Sequence, residues 1–244
     1  MDTRVDEIAE RIYRLSTFMP AVGPNGLTFN QFLVDAEQPL LFHCGQRALF
    51  PAVSKAVARV IDLRRLRWIA FSHVEADECG ALNEFLAAAP EATVTHGAIG
   101  CAIWLNDQAP RPPRPLAHDE ALELGGRRVR RLDTPHVPHC WDAGLMFEET
   151  TRTLFTSDLF THAGDPRPLT DGDIVEPAMA AESAFGFTGL TPATGPTIRR
   201  LAALEPRTLA VMHGSSFTGD GAATLHRLAA FYEERLAKGP APRG

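Results

Sequence analysis

The sequence predicts a layered α/β domain, and three observations carry that prediction. Short apolar runs bounded by Gly, Pro and Asn are interleaved with segments of helical spacing. Hydrophobic residues fill 45% of 244 positions, enough for a large core, and no change of composition divides the chain. Several apolar runs stop at a His or an Asp, and strand ends are where layered α/β architectures build their sites. One domain over residues 1–244 is expected, with GPAPRG a frayed tail from about 239.

Residues 10–19 and 28–43 read as strands, TFNQFLV and PLLFHCG being apolar and aromatic. FPAVSKAVARVID (50–62) has helical apolar spacing. WIAFS (68–72) is a continuous apolar run, as in a strand covered on both faces, and it leads straight into His73. GALNEFLAAA (80–89) reads as a helix stopped by Pro90, TVTH (93–96) as a strand, and GAIGCAIWL (97–105) as a helix. QAPRPPRP (108–115) is a proline-rich loop. ALELGGRRVRRLDTPH (121–136) reads as a hairpin turning at Gly125-Gly126, and GLMFEETTRTLFTSD (144–158) as a second. Residues 161–192, rich in Gly, Pro, Asp and Thr, read as a long loop with a short helix lying over the site. TIRRLAALEP (197–206) reads as a helix, TLAVMHG (208–214) as a strand ending at His213, and 221–237 as an amphipathic helix.

Bulk properties narrow the function. A net charge of −6 argues against nucleic-acid binding by bulk charge, and the Arg clusters at 64–67 and 127–131 read as solvated faces. No apolar run approaches the ~20 residues that span a bilayer, and MDTRVDEIAERIYRL lacks a signal-peptide apolar region. The expectation is a cytoplasmic protein without a membrane segment. Cys44, Cys79, Cys101 and Cys140 form no CxxC pair and read as small buried apolar residues.

The chemistry-bearing pattern is SHVEADECG (72–80). His73, Glu75 and Asp77 occupy alternate positions after an apolar strand, and in extended backbone alternate side chains share a side. Taken alone, Asp77 also reads as a helix N-cap and Glu78 as a first-turn acid. LDTPHVPHCWD adds His136 and His139, LFTSDLF adds Asp158, and LAVMHGSSF adds His213. One such residue at a strand end is ordinarily structural; four strand ends with nitrogen and oxygen donors point to a metal site. His43, His96, His118, His162 and His226 read as structural.

The order HxExD, then H, D and H resembles the metallo-β-lactamase superfamily, and within it the flavodiiron proteins and their oxygen-binding di-iron relatives. Glu75 stands where the superfamily's hydrolases carry a His; His136-Val137-Pro138 is similar to the branch's His-x-Pro element, and Asp158 in LFTSD to its bridging aspartate. NQFLVDAEQPLLFHCG resembles the opening strands, with His43 where an aspartate is common. The resemblance covers roughly residues 10–235. It implies an αββα sandwich of two mixed β-sheets flanked by helices. It implies one metal on His73, Glu75 and His136, a second on Asp77, residue 78 and His213, and Asp158 bridging. The family has His at 78 where this chain has Glu78. Glu78 either ligates, which is the preferred reading, or leaves an open position, or leaves the second site weak. Four carboxylates against two divalent ions would then stabilise the oxidised metals and lower the reduction potential. His139 reads first as a surface-loop histidine; otherwise it would lie beside the site or substitute for the missing ligand.

The carboxylate-rich set suits iron, manganese or zinc. The resemblance implies a di-iron oxidoreductase binding and reducing O2 or NO, or an oxygen sensor. No flavodoxin domain or FMN is expected in this chain, so electrons come from a separate partner. The alternative is a metallo-hydrolase in which a metal-bound hydroxide attacks an ester, thioester, lactone or phosphodiester. Dimers are common in the family.

Overall fold

Alternation along β3 (Leu27–Val34) explains the layering. Phe29 and Leu33 face one hydrophobic core, while Phe32 and Val34 face another, as the two-residue period of a strand requires. The computed structural model describes residues 2–239, and the tail expected beyond Gly239 lies outside them.

The first sheet runs β1 (Thr3–Ala9), β2 (Ile12–Met19), β3, β4 (Leu40–Phe42), β5 (Trp68–Ala70), β6 (Thr93–Gly97) and β7 (Arg114–Leu116) in that spatial order. β1 to β4 pair antiparallel, and β4 to β7 pair parallel. Its outer face is covered by α1 (Phe50–Val57), with Val53, Ala56 and Val57, and by α3 (Leu82–Ala88), with Leu82, Phe85 and Leu86. The one-turn helix α2 (Ala76–Cys79) precedes α3. After β6, α4 (Ala98–Gly100) passes through a π-helical stretch, Cys101–Leu105, into α5 (Asn106–Gln108).

The second sheet contains β8 (Ala121–Glu123), β9 (Arg128–Asp133), β10 (Gly144–Glu148), β11 (Thr153–Ser157), β12 (Leu169–Thr170), β13 (Thr208–Val211) and β14 (Ser216–Thr218), in the spatial order β12-β14-β13-β11-β10-β9-β8. Both expected hairpins form. The first closes with Leu124 N–H donating to Arg127 C=O at 2.8 Å around Gly125 and Gly126, both at positive φ, the two-residue turn that matches strand twist. Behind this sheet, α6 (Val175–Phe185), α7 (Thr194–Ala202) and α8 (Gly221–Lys238) supply Val175, Ile198, Leu201, Leu225 and Leu228 to an outer core. Phe32 and Phe42 meet Phe155 between the sheets, at ring-centroid distances of 5.7 and 5.1 Å. The arrangement is the αββα sandwich of two mixed sheets.

Three elements depart from the sequence reading. β1 is an additional edge strand: TRVDEIA is polar, and its weak burial leaves little apolar alternation to detect. The proline-rich segment 108–115 runs into β7 at its end. Residues 161–192 hold β12 and an eleven-residue α6, which small Ala residues conceal from periodicity and which Gly186 stops in the left-handed conformation.

Candidate metal centre

The donor residues come from the ends of β5, β9, β11 and β13. His73 follows β5 by three residues and is fully buried; its Nε2 lies 3.0 Å from Glu75 Oε2. Glu75 has extended backbone, which turns Val74 outward. Extension stops there. Asp77 reaches the site from the first turn of α2, not from continued strand alternation, and Glu75, not Asp77, occupies the N-cap position. Asp77 Oδ2 lies 3.3 Å from His213 Nε2.

Asp158 is central. Its Oδ1 lies 3.2 Å from His213 Nε2, while its Oδ2 lies 3.5 Å from Nε2 of both His73 and His139. That Oδ2 is buried and has no hydrogen-bond partner. His139 Nε2 also lies 3.0 Å from Glu75 Oε2. One donor atom each from His73, Glu75, His139 and Asp158 lie within 4.8 Å of one another.

Two expected ligands are corrected. His136 is exposed and stands outside this cluster; its left-handed backbone and its N–H bond to Cys140 C=O (2.7 Å) turn the loop so that His139 enters instead. Glu78 does not face the donors either. It is fully buried behind His73, where its oxygens accept from the backbone of Ser72 and His73 and from Ser157 Oγ.

Electrostatics follow from the crowding. Burial alone would lower the His73 pKa, but Glu78, Glu75 and Asp158 outweigh it and raise it to about 10. His213 is likewise raised to about 10, burial being overcome by Asp158 and Asp77. Hydrogen bonds from His139 and then His73 hold Glu75 well below the usual carboxylate range. Burial opposes the ionised form of Asp158, yet the His213 hydrogen bond keeps its pKa below the ordinary value. The carboxylates are therefore held as anions against cationic partners, which a metal ion can replace.

The residues fit a pair of cations. His73, Glu75, His139 and Asp158 bring one donor atom each to a common point, and beside it Asp77 Oδ2 and Asp158 Oδ1 lie 3.3 and 3.2 Å from His213 Nε2, where a second cation would sit. His213 is held for this: its Nδ1–H donates to Thr28 C=O at 2.8 Å, leaving the Nε2 lone pair for the site. Asn30 Nδ2 donates to Val211 and Gly214 carbonyls, and Arg14 Nη2 donates to Gly214 C=O. Sequence reasoning missed Thr28, Asn30 and Arg14, whose sole signal was polarity inside apolar strands. Of the other histidines, His43 is fully buried with neither ring nitrogen hydrogen-bonded, its Nε2 3.4 Å from Glu78 Oε1, while His118 Nδ1 accepts from Asp133 N–H. His96 stacks on Phe71 and pairs with Asp142 at 3.1 Å, and His162 Nε2 accepts from Ser215 N–H.

A cavity of about 270 Å³ opens over the donors. Val22, Pro24 and Leu27 form one apolar wall; Phe185 and Phe187, from the expected long loop, form the other. Among the described residues, no Lys or Arg lines it.

The model of the ODP family beta lactamase matches residues 27–176. A diflavin flavoprotein of Nostoc sp. is 30% identical over 139 residues, covering 56% of this chain and 24% of that protein. The rubredoxin-oxygen oxidoreductase of Megalodesulfovibrio gigas is 25% identical over 141 residues, covering 57% of this chain and 35% of that protein. The matched region therefore spans about a quarter to a third of these relatives. Among solved structures, a diflavin flavoprotein fragment (1–254) from Nostoc sp. aligns with a TM-score of 0.82 at 16% identity, over 97% of this chain and 98% of that one. A metal-soaked flavodiiron core from Synechocystis sp. aligns with a TM-score of 0.82 at 18% identity, over 97% of this chain and 62% of that one. These likenesses show the shared fold.

Proposed function

The chain belongs to the ODP family beta lactamases, and from that premise we propose that it binds two metal ions, iron by preference, and uses them to bind O2 or NO, which it reduces or senses. The observation that carries this reading is Asp158: a buried carboxylate with one oxygen toward His213 and the other, unpartnered, toward His73 and His139. Two reduced iron ions, when bound, supply electrons and binding positions for the gas. The chain's residues do the rest. Glu75, Asp77 and Asp158 neutralise the cations, and the Thr28 carbonyl keeps His213 Nε2 aimed at the site. The apolar wall excludes water and admits a neutral molecule.

Relatives named flavodiiron, diflavin flavoprotein and rubredoxin-oxygen oxidoreductase support redox chemistry here, with electrons arriving from a separate partner. Among the described residues, no helix is long and apolar enough to cross a membrane. Anaerobic purification with metal analysis, and an optical spectrum before and after admitting O2 or NO, tests the proposal. Two irons per chain and gas uptake are expected; a colourless, iron-free protein indifferent to both gases contradicts it.

The cavity volume favours a second reading, hydrolysis. About 270 Å³ far exceeds the ~30 Å³ share of a water-sized molecule, so an organic ester or lactone would fit. The acidic floor and the lack of Lys or Arg in the described lining weigh against phosphodiesters. Zinc-loaded protein that turns over neutral esters would favour this reading over the first.

A further inference from the structure

We infer that Glu78 is the positioning residue that sets His73 and Asp158 for metal binding, and is not itself a ligand; this rests on the two-metal reading above. Its place on α2 explains the division of labour. Successive helix residues diverge by about 100°, so Asp77 turns toward His213 while Glu78 turns back into the protein. The side chain is fully buried. Oε2 accepts from Ser72 N–H at 2.8 Å and His73 N–H at 2.7 Å. Oε1 accepts from Ser157 Oγ at 2.5 Å and lies 3.3 Å from His73 Nδ1 and 3.4 Å from His43 Nε2. A carboxylate offers about four lone-pair positions; three hydrogen bonds occupy most of them, and the remaining side of Oε1 faces His73 Nδ1 and His43 Nε2 and not the donor cluster.

Two consequences follow. Glu78 fixes the His73 tautomer. Ser72 Oγ, 3.1 Å from Nδ1, can donate or accept, but an ionised Glu78 can only accept, so when a metal ion displaces the Nε2 proton it is Nδ1 that keeps its hydrogen and Nε2 that offers its lone pair. Glu78 also ties the end of β5, at Ser72 and His73, to the end of β11, at Ser157, next to Asp158. It thereby joins the two sheets at the point where their donors meet. With Glu78 withdrawn, the His213 side retains Asp77, His213 and the shared Asp158, and so has fewer protein donors than the His73 side.

Glu78→Gln separates the roles, because its amide oxygen still accepts from Ser72 and His73 while the charge facing Nδ1 is gone. The full chain is titrated with Zn(II) against a chelator, and ¹⁵N-histidine NMR reads the His73 Nδ1–H. Expected are two zinc ions per chain in wild type and in Glu78→Gln, affinity of one ion weakened about 10- to 100-fold, and a shifted or lost Nδ1–H signal. Saturation at a single ion with its affinity intact would make Glu78 a ligand and overturn the inference, as would wild-type affinity with an unchanged Nδ1–H. A wild type that takes up no zinc or iron would sink the two-metal reading instead. The anchoring role is still decided in metal-free protein by amide hydrogen exchange at Ser72 and His73. Exchange should be slow in wild type and Glu78→Gln and at least 10-fold faster in Glu78→Ala; unchanged rates in Glu78→Ala overturn it.

Discussion

The two sides of the proposed metal centre are built differently. On the His73 side, two imidazoles, Glu75 and one oxygen of Asp158 converge, and a buried carboxylate, Glu78, holds the His73 ring from behind. On the His213 side, Asp77 and the other Asp158 oxygen meet one imidazole, which is held by the Thr28 backbone carbonyl. The first side is crowded with donors and braced by charge; the second has fewer donors and is braced by the neutral Thr28 carbonyl, and donors of both sides line the apolar cavity. If the proposed pair of ions binds, the greater number of donors predicts tighter retention on the first side than on the second.

The largest effect is expected where the sides share a residue. Asp158→Ala should reduce metal content from two ions per chain to nearly none, read by elemental analysis; full occupancy of either side would separate the two sides. Next, His213→Ala should leave one ion, the more tightly held, and His139→Ala should remove that tighter ion, while His136→Ala leaves two. A loss caused by His136→Ala and not by His139→Ala would reverse the assignment of the loop. Asn30→Ala removes a buried donor from the Val211 carbonyl and leaves the Gly214 carbonyl to Arg14, and should cost about 1–3 kcal/mol in denaturant unfolding, with weakened binding confined to the His213 side.

Smaller effects lie outside the donors. Burial lowers the His96 pKa below its ordinary 6.5 even though Asp142 opposes the shift. The unfolded chain then binds the extra proton below about pH 6.5 and the folded chain does not, so stability falls as pH drops through that value. His96→Gln should flatten this part of a melting-temperature profile, and an unaltered slope would exclude His96 as its source. Smallest of all, Phe185→Ala, at a residue 65% exposed, should change stability by no more than about 0.5 kcal/mol and leave metal content intact, while altering access of bulky molecules to the cavity.

Much of this was legible in the sequence because chemistry-bearing residues at the ends of apolar runs survive any small error in element boundaries. His73, Glu75, Asp77, Asp158 and His213 are singled out in that way, and the structure brings them side by side. What sequence could not decide was orientation. His136 and His139 follow the same strand, β9, and the loop's left-handed residues, His136 and Cys140, choose between them. Glu78 sits beside Asp77, and whether both face the site depends on backbone turning helical at residue 76. The cavity walls were hidden for another reason: PAVGPNG and the end of α6 carry shape but little chemistry. The edge strand β1 escaped because a polar edge lacks strong periodicity, and α6 reads only as a short helix within a long loop because its Ala-rich sequence leaves its bounds unmarked.

The central claim is that these side chains hold a pair of metal ions, and counting metal per chain after anaerobic purification and iron loading tests it most directly. Two irons in the wild type, one in His213→Ala and nearly none in Asp158→Ala is the expected result. Iron content that stays the same across all three proteins would contradict it.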